Sequence, residues 1–170
     1  MELSMQRVSL ICSLLFTIAI SVSAQADSQG DNLYWVGMER ALQLSESNGK
    51  LILIDVYAEW CPYCQRMQDE VYPDQTVIDM IQEYFIPVRI NIESQEPMRY
   101  LGRDYTQEEF SRALQYQSIP TTYFMNESGE VVGQQPGLLP AEMFSDLLEY
   151  VGSRAFEEQT FDEFRQQKDS

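Results

Sequence analysis

The stretch "LILIDVYAEWCPYCQRM", residues 51–67, carries the main problem of this chain. Leu51 to Ala58 is an almost wholly apolar run, as expected of a central strand covered on both faces. A single acid, Asp55, interrupts it. After Trp60 come two cysteines separated by Pro62 and Tyr63. Proline is tolerated in the first turn of a helix, so Cys61 falls where the strand ends and a helix begins. Its sulfur there meets unpaired backbone N–H groups and the positive end of the helix dipole. Both lower a thiol pKa, and the thiolate is the attacking species. Cys64, one turn further in, can reach back to resolve a mixed disulfide.

Other chemistries for the pair fit less well. Zinc normally needs four protein ligands, or three with a water. The chain has no histidine and only three cysteines, one of them (Cys12) in the leading apolar run. Covalent haem needs histidine directly after the second cysteine, and position 65 is Gln. A purely structural disulfide stays open. So short a loop removes little unfolded-state entropy, on the order of 2 kcal/mol, and cross-links nothing distant. Exchange of electrons with other thiols accounts for every feature of the placement. No metal and no cofactor beyond the Cys61–Cys64 pair is expected.

The 170 residues suit one domain, and 44% hydrophobic content suits a folded one. A net charge of −16 repels nucleic acid and anionic lipid head groups. The acids are spread along the chain and read first as a soluble surface. Residues 1–26 resemble a cleaved signal peptide. Arg7 precedes the apolar run "VSLICSLLFTIAISV", too short for a comfortable membrane span, which ends at small residues. Cuts after Ala24 or Ala26 both fit. The exported chain would keep only Cys61 and Cys64, in an oxidising or redox-managed compartment such as a bacterial periplasm.

Residues 27–33 are polar and read as a flexible lead into a domain over 34–152. Trp35, Met38, Ala41 and Leu42 share one helical face, and that helix ends near Asn48-Gly49. "PYCQRMQDEVYP" reads as a helix broken at Pro73, and "DQTVIDMIQEYF" resumes helical periodicity. "IPVRINI" is the next strand. Residues 93–105 have weak pattern and read as loop. Thr106 and Glu109 form a capping box that opens another helix. "TTYFMNESGEVVGQ" is a hairpin turning at Glu127 to Gly129, and "LPAEMFSDLLEYV" a final amphipathic helix. Residues 153–170 form a tail with Phe156, Phe161 and Phe164 among charges, either a docked short helix or partly disordered. The first two strands flank a helical crossover and should be parallel, the last two antiparallel. The fold class is therefore α/β, a central mixed β-sheet flanked by helices on both faces.

"LILIDVYAEWCPYC", "VRINIE" and "SIPTTYFMNESGEVVGQQPGLLPAEMFSDLLEYV" resemble the thioredoxin superfamily over roughly residues 35–152. "CPYC" with the acidic helix after it and "LGRDYTQEEFSRALQYQSIPT" look most like exported thioredoxin-related proteins of the SoxW type. The resemblance implies a thioredoxin-like fold and a thiol–disulfide oxidoreductase in which Cys61 is the nucleophile and Cys64 the resolving thiol. It implies that Asp55 is the buried acid that moves a proton to or from Cys64, with a raised pKa suited to base work. Asp55 could also pair structurally with Arg89, which need not exclude that role. Pro120 matches the superfamily's cis proline, and Trp60, Ile119, Pro120 and Thr121 match its substrate contacts.

Two departures stand out. Pro62-Tyr63 replaces the usual Gly-Pro, and the segment between "NIE" and "SIPT" is longer than in thioredoxin, as for a lid or a partner-recognition surface. The implied partners are protein disulfides and a membrane-bound electron donor, met by a monomer. An oxidase or isomerase of exported proteins is the alternative, as is a non-catalytic binding module on the same fold.

Overall fold

The computed structural model describes residues 33–168 and 170. The signal-peptide expectation for 1–26, and the lead except for Leu33, lie outside the described residues. The element order is α1 (Met38–Asn48), β1 (Leu51–Tyr57), α2 (Pro62–Arg66), a π turn (Met67–Val71), α3 (Gln75–Tyr84), β2 (Phe85–Asn91), β3 (Pro97–Tyr100), β4 (Arg103–Thr106), α4 (Gln107–Ala113), β5 (Thr121–Met125), β6 (Val131–Pro136), α5 (Ala141–Gly152) and α6 (Phe161–Lys168). A short 3₁₀ turn, Ala155–Glu157, links the last two helices.

Four strands form the main sheet in the order β2-β1-β5-β6. β1 and β2 are parallel, while β5 runs antiparallel to both β1 and β6. The mixed sheet between helical layers is the α/β architecture the strand and helix order implied. Strand alternation divides the core into two. Leu51 and Leu53 face one way and pack with the π turn, α3 and α5 through Met67, Ile81, Phe144 and Leu148. Ile52, Ile54 and Val56 face the other way onto α1 and α4, against Met38, Ala41 and Phe110. Each such buried aliphatic or aromatic side chain stabilises the fold by about 1.5–3 kcal/mol relative to exposure. β1, covered on both sides, is the strand that holds the functional residues in place.

Two expectations about local structure are corrected. Trp35 does not belong to the first helix. Gly37 is extended and caps α1, so Trp35 lies in the preceding segment, where the Val36 N–H donates to the Pro87 carbonyl and lengthens the edge of β2. Residues 93–105 are loop only as far as 96; beyond it β3 and β4 pair in register from Pro97↔Thr106 to Tyr100↔Arg103. Their turn is Leu101-Gly102, both with positive φ (47° and 78°), the backbone of a tight hairpin. Leucine at a left-handed position carries no turn signature, which hid the hairpin.

The hairpin is no lid over the cysteines. Met98, Tyr100 and Tyr105 pack into the α1–α4 core, and the Tyr100 hydroxyl donates to the Gly129 carbonyl at 2.6 Å. Its tip therefore reaches the β5–β6 turn, at the end of β5 away from Pro120. Gly129 has φ of 85°, and a Cβ there would press on Leu42, Leu101 and Tyr100. The tail is also ordered in the described residues. Tyr150 stacks on Phe161 and Phe164 with ring centroids 5.4 and 5.5 Å apart, which seats α6 on α5.

Candidate active site

Cys61 is the N-cap of α2, extended at φ −81°, ψ 113°, with Pro62 directly after it. Its sulfur accepts a hydrogen bond from the Cys64 N–H at 3.2 Å. The two cysteines are joined as a disulfide, their Cα atoms 5.2 Å apart. Both are buried, 3% and 1% exposed, against Ala58 with Tyr57, Ile92 and Ile119 around them. An N–H bonded to the sulfur and a helix N-terminus beneath it favour negative charge on Cys61 once the bond is reduced.

Chain segments distant in sequence complete the wall of the site. The Ile119–Pro120 peptide bond is cis, and Cys61 Sγ lies 3.8 Å from the Ile119 carbonyl oxygen. The Pro120 carbonyl accepts from the Gly137 N–H at 2.8 Å, which ties the turn to the end of β6. Thr121 sits inside the sheet at 2% exposure, and its hydroxyl donates to the Ser118 carbonyl. Its side chain thus serves the cis-proline turn and offers no surface to a partner. Trp60 and Tyr63 do, at 62% and 59% exposed. The disulfide is flanked by two exposed aromatic rings and a carbonyl edge, a surface an extended peptide can lie across.

Asp55 is 1% exposed, on the sheet face it shares with Leu51 and Leu53. Parallel pairing sets Asp55 beside Arg89 in register, and Arg89 Nε donates to Asp55 Oδ2 at 3.0 Å. The guanidinium lies 3.9 Å from the Tyr57 ring centroid and 5.2 Å from that of Trp35. Burial raises the Asp55 pKa above the ordinary 3.8, opposed by the charge and hydrogen bond of Arg89 and by the nearby Tyr72 hydroxyl. Burial wins over pairing here. Asp55 can therefore hold a proton further toward neutrality than an ordinary carboxyl and still be ionised beside a fixed cation. The Arg89 pair is thus present on the acid to which the resemblance gives a base role.

Tyr57, Tyr72 and Ile92 are parts of the site that a reading along the chain passed over. Tyr57 and Asp55 alternate with Val56 on β1, and that parity was the available signal for Tyr57. Nothing local signals Tyr72 or Ile92, which depend on the π turn and on the Ile92 N–H reaching the Tyr57 carbonyl at 3.0 Å.

Comparison with known proteins accords with this geometry. The model of a thioredoxin-like domain family matches residues 38–152. The thiol:disulfide interchange protein DsbD of Actinobacillus pleuropneumoniae serotype 5b (strain L20) is 25% identical over 108 residues, 62% of this chain and 17% of that protein. The chain thus spans a small part of that relative. A thioredoxin-fold protein from Helicobacter pylori superimposes with a TM-score of 0.62 at 23% identity, covering 71% of this chain and 80% of the other. For a thioredoxin from Thermus thermophilus the values are 0.56, 26%, 70% and 86%.

Proposed function

The chain belongs to the thioredoxin-like domain family, and on that premise we propose that it is an exported thiol–disulfide oxidoreductase that reduces disulfides in other proteins. One observation carries the reading: the Cys61–Cys64 disulfide caps a helix N-terminus beside a cis Ile119–Pro120 bond. The similarity to a thiol:disulfide interchange protein over 108 residues supports it.

In the reduced form the Cys61 thiolate attacks a substrate disulfide, forms a mixed disulfide and releases the first substrate thiolate. Cys64 then loses its proton to Asp55, and its sulfur attacks Cys61 Sγ. The Cys61–substrate bond breaks, the second substrate sulfur leaves with the electron pair, and the Cys61–Cys64 disulfide is restored. Two electrons pass from the dithiol to the substrate, so a donor must return them. A membrane-bound dithiol carrier is the donor class an exported protein requires, since soluble cytosolic reductants do not reach it. Trp60 and the Ile119 edge hold the substrate backbone beside the sulfur. The apolar run before Ala24 supports export, and "LGRDYTQEEFSRALQYQSIPT" supports a SoxW-type protein as the finer assignment. The protein acts as a monomer.

The deciding experiment is the equilibrium reduction potential of the Cys61–Cys64 pair, titrated against glutathione or dithiothreitol. A reductase should fall near thioredoxin's about −270 mV, whereas a value well above about −200 mV overturns this direction and makes the protein an oxidase or isomerase. A pair that cannot be cycled in the folded protein leaves only a structural disulfide.

A further inference from the structure

Beyond the cis-proline edge the surface falls into a groove of about 420 Å³. The end of α2 and the π turn form one wall with Arg66, Glu70 and Val71. The segment from β6 into α5 forms the other with Leu138, Leu139 and Ala141. Sites for small groups run from about 300 to 1,000 Å³, so one large side chain fits.

Local chemistry builds both walls. Gly137 has φ of 83°, a left-handed turn that glycine adopts freely, and a Cβ there would meet nothing within 4 Å. Pro140, at φ −58° and ψ 151°, then caps α5. The two leucines between them are half-buried and pack on the core that holds Val71 and Phe144. On the facing wall Arg66 Nε and Nη2 donate to the two Glu70 oxygens at 2.7–3.1 Å. Each charge is met by the other, so this rim asks no charge of an occupant. Val71, at 2% exposure, and the leucines give the groove an apolar floor.

The groove is continuous with the disulfide. Cys61 Sγ lies 3.8 Å from the Ile119 carbonyl oxygen, the Pro120 carbonyl holds the Gly137 N–H at 2.8 Å, and Leu138 follows. On the other wall Arg66 ends the helix that Cys61 caps, about 7–8 Å along the axis at about 1.5 Å per residue. An extended peptide advances about 3.3 Å per residue and alternates its side chains. The second residue from a substrate cysteine therefore lies about 7 Å on, on the same face as that cysteine.

We propose that this groove takes an apolar side chain of the substrate polypeptide, two residues from the cysteine under attack, so that the protein favours disulfides flanked by leucine-like residues. This rests on the oxidoreductase reading above and names its substrate class. Burying that side chain against Leu138 and Leu139 removes apolar surface from water and holds the substrate sulfur beside Cys61. A serine in its place leaves the floor wet.

The test uses protein reduced with dithiothreitol and freed of it, and two synthetic peptides. Each carries one cysteine joined to thionitrobenzoate, with leucine in one peptide and serine in the other at the second position on both sides. The Cys61 thiolate attacks the peptide sulfur, and thionitrobenzoate leaves with the electron pair as a coloured ion whose release gives the rate. Cys64 then displaces the peptide thiolate. After correction for the rates with dithiothreitol alone, wild type should consume the leucine peptide about tenfold faster, the scale of burying much of one leucine side chain. Leu138→Ser should shrink that preference, and so should Ala141→Phe, which fills the groove and takes nothing out of the core. Equal rates for the two peptides in wild type overturn the proposal, as does a full preference surviving in Ala141→Phe. Release from neither peptide would break the oxidoreductase reading, and this proposal with it.

Discussion

Asp55 and Asp146 are both buried acids, 1% and 8% exposed, and their surroundings are opposite. Asp146, on α5, has each oxygen paired with a cation from α6: Oδ2 with Arg165 at 3.1 Å and Oδ1 with Lys168 at 2.7 Å. Lys168 also reaches Glu149, and its hydrogen bond to Asp146 is the main cause of a raised Lys168 pKa. Asp55 has one cation and one oxygen with nothing to bond. The first arrangement ties a helix down. The second leaves a carboxylate free to take up and give back a proton. A buried acid with both oxygens paired to cations is held in place, whereas one with an unpartnered oxygen keeps a site where a proton can bind.

The contrast breaks most sharply at the cysteines. Cys61→Ser should lower protein-disulfide reduction on the order of a thousandfold or more, because the attacking sulfur is gone. Cys64→Ser should instead accumulate a covalent mixed disulfide, visible by mass spectrometry of the trapped complex.

Asp55→Asn should slow the resolving step by about ten- to a hundredfold. It should also stabilise the oxidised protein on the alkaline side. The folded-state pKa of Asp55 lies above the ordinary 3.8, so between those two values the folded protein holds a proton the unfolded chain has lost. Wild-type stability carries a penalty that grows as pH rises through that window and is complete above it. Denaturant titrations across pH should show the Asn variant gaining over wild type through that window and staying ahead above it. A constant difference at all pH values would sink this account of Asp55.

Around Asp146 the effects belong to stability. Gly152 ends α5 where a Cβ would overlap the Tyr84 side chain of α3. Gly152→Ala should therefore cost about 2 kcal/mol by forcing the two helices apart, read from denaturant midpoints. Asp146→Ala should cost less, about 1 kcal/mol, because Arg165 and Lys168 are 33% and 44% exposed and regain water. Neither should change the rate of disulfide reduction. An activity loss in Asp146→Ala would blur the distinction between the two acids.

Much of this was legible along the chain. The apolar run of β1, Pro62 after Cys61, and the Thr106–Glu109 capping box are local chemistry, and each specified its element. The order of elements then implied the parallel and antiparallel pairings. The β3–β4 hairpin escaped because its turn, Leu101-Gly102, and its half-exposed strands carry no strong period. Trp35 has a helical spacing from Met38, but Gly37 starts the helix after it.

The sequence by itself determined which residues could do chemistry here, since a strand, a turn and a helix cap need only neighbouring residues to form. Only the tertiary structure decided what those residues face. Asp55 and Arg89 are 34 positions apart and meet because Leu51 pairs with Phe85 in a parallel register. Tyr72 joins them through a π turn, and the cis Ile119–Pro120 bond reaches Cys61 across 58 positions. Burial and register belong to the packed chain as a whole, and they set whether an acid is tied down or left with a free lone pair.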